Sequence, residues 1–126
     1  MGTVNPPRPL VLVIEDEPLL RMYAVSIVED AGLEALEASN ADQAIALLER
    51  NPNIRVIFTD IDMPGSMDGL KLAQAVRNRW PPVEIILTSG HVHVSDTDIP
   101  ERGRFFPKPY NADDITHALR EFSSGA

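Results

Sequence analysis

The sequence predicts a three-layer α/β domain built on a five-stranded parallel sheet, and three features support this prediction. Short apolar runs without strict alternation recur at 10–14, 54–58, 83–87 and 105–106, as in strands covered on both faces. Segments with helical spacing of apolar residues lie between these runs. A length of 126 residues, with 44% hydrophobic and 24% charged residues, suits one globular domain. Alternating strands and helices imply right-handed crossovers with helices on both faces of the sheet.

The first half of the chain is predicted to contain two strand-helix units. Pro18 stands in the first turn of a helix whose buried stripe begins at Leu20, and Gly32 supplies its C-terminal stop. A weaker apolar pattern at 33–37 predicts the second strand. Asn40 is placed to cap a second helix, which ends before Pro52.

The second half continues the alternation after the strand predicted at 54–58. A third helix carries Leu70 and Val76 on one face, and the proline pair 81–82 stops it. After the strands at 83–87 and 105–106, Asn111 is placed to cap the last helix. Strand and helix therefore alternate about five times along the chain.

Composition and charge exclude several classes of protein. Eleven Lys and Arg residues against nineteen Asp and Glu residues give a net charge of −8, which repels nucleic-acid phosphates. There is no cysteine, which excludes disulfides and thiolate metal sites. The run Leu10–Ile14 is far shorter than the ~20 residues that span a bilayer. We therefore expect a soluble cytoplasmic protein with no direct contact to nucleic acid or membrane, and a flexible tail at residues 1–8.

Polar side chains cluster at the carboxyl ends of the predicted strands, where open α/β sheets bind ligands. In chain order they are Glu15 and Asp16 after the first strand, Asp60 after the third, Thr88 and Ser89 at the end of the fourth, and Lys108 after the fifth. In a doubly wound sheet of order 2-1-3-4-5, the first and third strands are neighbours, so their three carboxylates would repel one another. A magnesium ion relieves such repulsion because it prefers oxygen ligands and accepts a phosphate beside one or two carboxylates. A lysine and a hydroxyl complete a pocket for a phosphoryl group.

Four motifs at these strand ends resemble the receiver domain of bacterial two-component response regulators, which has a flavodoxin-like fold. The motifs are Glu15-Asp16-Glu17-Pro18, Asp60-Ile61-Asp62-Met63-Pro64 with Gly69 nine residues after Asp60, Thr88-Ser89-Gly90, and Lys108-Pro109-Tyr110. They occur in the order that the family requires, and the resemblance extends from about Pro9 to Phe122. It implies a receiver domain at 9–124 without an output domain.

The resemblance also implies the roles of the site residues. Asp60 would accept a phosphoryl group from a phosphohistidine of a sensor histidine kinase or phosphotransfer protein. Glu15, Asp16 and Asp60 would hold Mg²⁺, with the backbone carbonyl of Asp62 as a further ligand. Lys108 would pair with the phosphoryl group. A conformational change would then carry the signal to a downstream partner protein.

Two further positions correspond to residues that move on activation in this family. The hydroxyl aligns best with Ser89, because the small residue Gly90 follows it, and Thr88 is the alternative assignment. Phe105 occupies the position of the switch aromatic residue. By the same resemblance, the peptide bond before Pro109 is expected to be cis.

One segment departs from the family pattern. Between Gly90 and Gly103, where the family places its fourth helix, the sequence has no apolar stripe at helical spacing and carries Pro100 near its end. We expect that helix to be short or missing. Since many receivers dimerise through its surface, we expect a monomer or a weak dimer. Glu15 also replaces the more frequent aspartate, which lengthens one arm of the acid pair.

Two alternatives to a phosphoacceptor receiver remain open at this point. The pattern Asp60-x-Asp62 after an apolar strand is similar to that of haloacid-dehalogenase-type phosphatases, which use an aspartate nucleophile. Those enzymes have Thr or Val two residues after the second aspartate and need a longer chain, whereas Met63-Pro64 follows here. A phosphorylation-independent binding module is the other alternative. We expect a protein that catalyses only its own phosphorylation and dephosphorylation, and thus no enzyme in the usual sense.

Overall fold

The parallel sheet and its flanking helices match the predicted architecture. This structure is a computed structural model, and it describes residues 9–65, 67–91 and 94–124. The strands are β1 (Leu10–Ile14), β2 (Glu34–Ala38), β3 (Ile54–Asp60), β4 (Glu84–Ser89) and β5 (Gly103–Pro107). The helices are α1 (Pro18–Asp30), α2 (Ala41–Arg50), α3 (Gly69–Arg79) and α4 (Ala112–Ser124). All strand pairs are parallel and their order is β2-β1-β3-β4-β5, as predicted.

The sheet separates two apolar layers, which explains why its strands lack polar alternation. Leu12 and Ile14 of β1 pack in the layer that contains α2 and α3, whereas Val11 and Val13 pack in the layer with α1 and α4. Successive side chains of a strand point to opposite faces, so a strand covered on both sides needs apolar residues throughout.

The predicted tail at 1–8 lies outside the described residues. Within the described part of the chain, no helix is both long and apolar enough to cross a membrane.

Local sequence features set most helix ends as expected. Helix α1 begins at Pro18, and Gly32 follows it with a φ of +85°. The Asn40 side chain accepts a hydrogen bond of 2.8 Å from the Gln43 amide at the start of α2. The Asn111 side chain accepts one of 2.8 Å from the Asp113 amide at the start of α4. These three predictions of helix termini are confirmed.

The strand ends differ slightly from the apolar runs. Strand β3 extends to Asp60, so Asp60 is the last residue of its strand and does not follow it. Strand β4 ends at Ser89, as predicted. The strands extend into these polar residues because their backbone groups still pair with a neighbouring strand, with Asp60 opposite Thr88. Strand β2 likewise runs from Glu34 to Ala38, one residue later than predicted.

In its described residues, 90–91 and 94–102, the segment between β4 and β5 has no α-helix, as predicted. Within its described part, one short 3₁₀ turn at Asp96–Asp98 is the helical element, and Ser95 and Asp98 close it with a capping box. The guanidinium group of Arg77 in α3 holds the end of the segment, because it donates a hydrogen bond of 2.6 Å to the Glu101 carbonyl oxygen. The same group donates a hydrogen bond of 2.8 Å to the Val83 carbonyl oxygen, just before β4. The segment is thus anchored at its far end by a side chain of α3.

Candidate functional site

Three carboxylates meet at the carboxyl edge of the sheet. Glu15 follows β1, Asp16 follows Glu15, and Asp60 ends the neighbouring strand β3. One carboxylate oxygen from each of the three lies within 4.8 Å of the others. Glu15 and Asp60 are only 5% and 7% exposed. The predicted proximity of these three acids is therefore observed, because β1 and β3 are paired in the sheet.

Lys108 lies directly against this acid cluster. Its Nζ is 2.9 Å from Asp60 Oδ2 and 3.6 Å from Glu15 Oε1. Partial burial acts to lower the pKa of Lys108, but the hydrogen bond to Asp60 and the charges of Asp60 and Glu15 raise it above its ordinary value of 10.5. The ammonium group is therefore charged at neutral pH and available to an anionic group. The peptide bond between Lys108 and Pro109 is cis, as expected.

The electrostatics of the cluster fit a divalent cation. Burial, followed by the charge of Asp60, raises the pKa of Glu15 from 4.5 to about 7, although Lys108 acts against this shift. A raised pKa means that the surroundings stabilise the negative charge of this carboxylate less than water does, so a bound cation would stabilise it. The available donors are carboxylate oxygens, which hard divalent cations such as magnesium prefer. The residues present therefore suit Mg²⁺, with Glu15, Asp16 and Asp60 as candidate ligands.

The loop after β3 contacts both Asp60 and the end of β4. The Asp62 amide donates to Asp60 Oδ1 at 3.1 Å, which fixes one oxygen of that carboxylate. The Asp62 side chain reaches in the other direction, because its Oδ2 accepts from Ser89 Oγ at 2.8 Å and from the Gly90 amide at 3.3 Å. Sequence reasoning considered only the backbone carbonyl of Asp62 and missed these side-chain contacts.

The two candidate hydroxyls occupy different surroundings. Ser89 lies beside the loop after β3 and contacts Asp62, whereas Thr88 is 2% exposed and lines a cavity next to α1. Their side chains differ in direction because adjacent residues of a strand point to opposite faces. Phe105 of β5 is half-buried and packs against the apolar layer of α2 and α3. The roles of Ser89, Thr88 and Phe105 in activation stay predictions.

An apolar surface next to the acid cluster was not anticipated from the sequence. Tyr110 stacks on Tyr23 of α1 at 6.1 Å between ring centroids and meets the edge of Phe58 at 5.7 Å. A cavity of about 420 Å³ is lined by these rings and reaches Asp60 and Lys108. Burial is the main cause that raises the pKa of Tyr110 to about 12, so its hydroxyl stays protonated.

Four apolar side chains of α1 extend this surface. They share the outer side of the first turns of the helix and are Leu19 at 79% exposure, Leu20 at 41%, Met22 at 64% and Tyr23 at 48%. The expectation that Leu20 belongs to the buried stripe was wrong, because Leu20 is exposed and lines the cavity at the carboxyl edge of the sheet. The excess of apolar residues outside that stripe was the feature in the sequence that marks this surface.

Comparisons with known proteins agree with this geometry. NtrX, a nitrogen assimilation regulatory protein of Azorhizobium caulinodans, is 37% identical over 108 residues, which cover 82% of this chain and 23% of that protein. The response regulator receiver protein CpdR of Brucella abortus is 28% identical over 114 residues, covering 88% of this chain and 93% of that protein. A crystal structure of a response regulator receiver protein from Pseudomonas putida gives a TM-score of 0.81 at 25% identity, covering 93% of this chain and 99% of that one.

The match to one family extends over most of the chain. The chain spans about a quarter of the length of the NtrX-type relatives, with 23% of one and 24% of another. The family described as the response regulator receiver domain matches residues 11–120. Because this match covers most of the chain, the chain belongs to the response regulator receiver domain family.

Proposed function

We propose that this chain is a phosphoacceptor that takes a phosphoryl group from a protein phosphohistidine onto Asp60. The observation that carries this proposal is the position of the Asp60 carboxylate at the end of β3. It lies 2.9 Å from Lys108 Nζ and has a carboxylate oxygen within 4.8 Å of ligand atoms of Glu15 and Asp16. A buried nucleophilic carboxylate between a fixed cation and an acid pair is suited to phosphoryl transfer, which depends on positioning and charge neutralisation.

The transfer needs little covalent assistance from other side chains. An oxygen of Asp60 attacks phosphorus, the new O–P bond forms, and the P–N bond breaks with its electron pair left on the imidazole of the donor. The Asp62 amide holds Asp60 Oδ1 at 3.1 Å, and Lys108 neutralises charge on the phosphoryl oxygens. Magnesium held by Glu15, Asp16, Asp60 and the Asp62 carbonyl would supply further charge neutralisation.

The exposed apolar residues of α1 support a protein as the phosphoryl donor. Leu19 and Met22 are 79% and 64% exposed, and Tyr23 lines the cavity that reaches Asp60. An exposed apolar patch next to a reactive group indicates a surface that a partner covers. We assign this surface to the phosphohistidine-bearing partner, a sensor histidine kinase or a phosphotransfer protein in the cytoplasm.

The two alternatives are less well supported. A binding module that is never phosphorylated has no use for buried carboxylates, which destabilise the fold unless they are compensated. A haloacid-dehalogenase-type phosphatase is disfavoured because the chain belongs to the receiver family. In this proposal the protein catalyses its own phosphorylation and dephosphorylation, and no reaction of a separate substrate.

Incubation with acetyl phosphate, with and without Mg²⁺, separates these alternatives. The proposed receiver takes up one phosphoryl group per chain, only with the metal, and then releases phosphate slowly. Rapid turnover of many phosphate esters would indicate a phosphatase instead. A chain that takes up no phosphoryl group with Mg²⁺ present would contradict the proposal and favour the binding module.

A further inference from the structure

The Asp62 carboxylate links the phosphorylation loop to the start of the segment that replaces the family's fourth helix. Ser89 Oγ and the Gly90 amide both donate to Asp62 Oδ2, at 2.8 Å and 3.3 Å. The His91 amide in turn donates to Ser89 Oγ at 3.2 Å. Three consecutive residues at the end of β4 are thus held, directly or through Ser89, by one carboxylate oxygen.

The middle of the described part of this segment is largely exposed. Residues 95–98 are exposed, whereas Val94 packs half-buried against the core and Pro100 is buried. Exposed side chains around one short 3₁₀ turn give residues 95–98 low local stability. Arg77 holds its far end through the Glu101 carbonyl oxygen, so the contacts of Asp62 are the corresponding restraint at its near end.

We propose that Asp62 is a positioning residue that holds Ser89 and the 90–103 segment in their unphosphorylated arrangement. The inference deepens the proposed function, because it assumes that Asp60 accepts the phosphoryl group. A serine hydroxyl has one proton to donate. A phosphoryl oxygen on Asp60 therefore competes with Asp62 Oδ2 for that proton, and the more highly charged acceptor forms the stronger bond.

Transfer of this one hydrogen bond has a consequence for the segment. When the Ser89 hydroxyl turns to the phosphoryl group, its 2.8 Å hydrogen bond to Asp62 Oδ2 is lost. The His91 amide also loses its hydrogen bond to Ser89 Oγ, because that oxygen has moved. The near end of the segment then keeps only the longer 3.3 Å contact from the Gly90 amide to Asp62 Oδ2, so the β3 loop restrains it less. Loosening of this segment replaces the movement of a regular helix as the structural response.

The first test needs no phosphorylation. Amide hydrogen exchange over residues 94–103 is measured for wild type, Asp62→Ala, Asp62→Asn and the control Asp30→Asn, which removes a carboxylate at the exposed far end of α1. We expect exchange at least about threefold faster in Asp62→Ala, an intermediate rate in Asp62→Asn because its amide oxygen still accepts, and no change in Asp30→Asn. Equal exchange in Asp62→Ala and wild type would overturn the inference, whatever Asp60 does.

The second test separates the hydrogen bond from simple charge repulsion. Affinity for beryllofluoride, a mimic of the phosphoryl group, is measured with Mg²⁺ in wild type, Asp62→Ala, Ser89→Ala and the double variant. Loss of negative charge at Asp62 should raise the affinity in both backgrounds, but the release of Ser89 contributes only where the hydroxyl is present. We expect Asp62→Ala to raise affinity about tenfold more in the Ser89 background than in the Ser89→Ala background.

The outcomes of this cycle distinguish the inference from the function on which it rests. Equal gains in the two backgrounds would show that Asp62 acts only through its charge and would overturn the positioning role. No beryllofluoride binding by wild type, together with exchange accelerated in Asp62→Ala, would instead contradict the proposed phosphoacceptor while leaving the restraint by Asp62 supported.

Discussion

At the scale of single residues, the site concentrates negative charge where a folded protein avoids it. Glu15 and Asp60 are nearly fully buried, and their repulsion contributes to the raised pKa of Glu15. Lys108 is the cation in contact with both. Buried carboxylates that repel each other reduce the stability of a fold, and such a loss of stability is common at functional sites.

We predict that replacing Glu15 by Gln stabilises the metal-free protein at high pH. The folded form holds the proton up to about pH 7, whereas the unfolded chain releases it near pH 4.5, so the free energy of unfolding falls as pH rises through this range. Without divalent cations, Glu15→Gln should raise the free energy of unfolding by about 1 to 2 kcal/mol at about pH 8 and change it little at about pH 5.

Urea unfolding of both proteins across this pH range measures the effect, with the exposed Glu17→Gln as a matched control. A pH-independent difference between wild type and Glu15→Gln would show that Glu15 does not carry the raised pKa. With Mg²⁺ added, the order is expected to reverse, because wild type gains more from the metal through its additional carboxylate ligand.

The sequence predicted the positions of those site residues that stand at the ends of strands. Asp16, Asp60 and Lys108 follow directly from the strand ends, since parallel strands bring their carboxyl ends to one edge. The contact from Asp62 Oδ2 to Ser89 was not predictable in this way. It depends on the path of the loop after β3, which residue patterns do not specify.

At the scale of elements, the start of α3 approaches the end of β3 too closely for any side chain. A Cβ placed on Gly69 would overlap the Asp60 carbonyl oxygen and lie 2.8 Å from the Asp60 carbonyl carbon. The Gly69 amide also donates to the Ile61 carbonyl oxygen at 3.1 Å. Glycine at this position therefore allows α3 to approach the backbone of Asp60, the proposed phosphoacceptor, this closely.

We predict that Gly69→Ala destabilises the protein and disturbs Asp60 together. The added methyl group must displace the backbone of Asp60 or the first turn of α3, at a cost of about 2 kcal/mol. The midpoint temperature of thermal unfolding and the rate of phosphorylation by acetyl phosphate should both decrease. In Gly90→Ala, the matched control for stability, the new Cβ meets only ordinary contacts at 3.6 Å, and no comparable loss of stability is expected. Equal stability of the two variants would contradict this account.

The elements also show where sequence patterns succeed and where they lose accuracy. The missing regular helix between Gly90 and Gly103 was predictable, because a helix without an apolar stripe has no core to pack on. The end of β3 was not, because Asp60 stays in the ladder opposite Thr88 of the neighbouring strand. Leu20 was assigned to the buried face because helical periodicity does not show how much of each side chain the neighbouring elements cover.

At the scale of the whole molecule, the apolar side of α1 and the acid cluster lie at the same edge of the sheet. Tyr23 connects them, since it is 48% exposed and also lines the cavity that reaches Asp60. A partner that covers Leu19 and Met22 is therefore placed to deliver a group to Asp60. The opposite end of the sheet carries none of the residues assigned to phosphoryl transfer.

We predict that Met22→Glu separates the two routes of phosphorylation. Met22 is 64% exposed, so a glutamate there leaves the core unchanged but places a charge in the proposed partner surface. The rate of transfer from a phosphorylated histidine kinase or phosphotransfer protein should fall about tenfold or more, while labelling by acetyl phosphate stays near that of wild type. Asn78→Glu, which adds the same charge on an exposed position of α3, should affect neither. An equal loss by both routes would remove α1 as the docking surface.

The central claim is that Asp60 is the sole phosphoacceptor and that it needs a divalent cation. Intact-mass spectrometry after treatment with acetyl phosphate tests this claim most directly, in wild type, in Asp60→Asn and in the nearby control Asp68→Asn. We predict one added phosphoryl group in wild type and in the control with Mg²⁺, and none in either with chelator. Asp60→Asn is predicted to carry none under any condition. A phosphoryl group that persists on Asp60→Asn, or one that forms in wild type without a divalent cation, would contradict the claim.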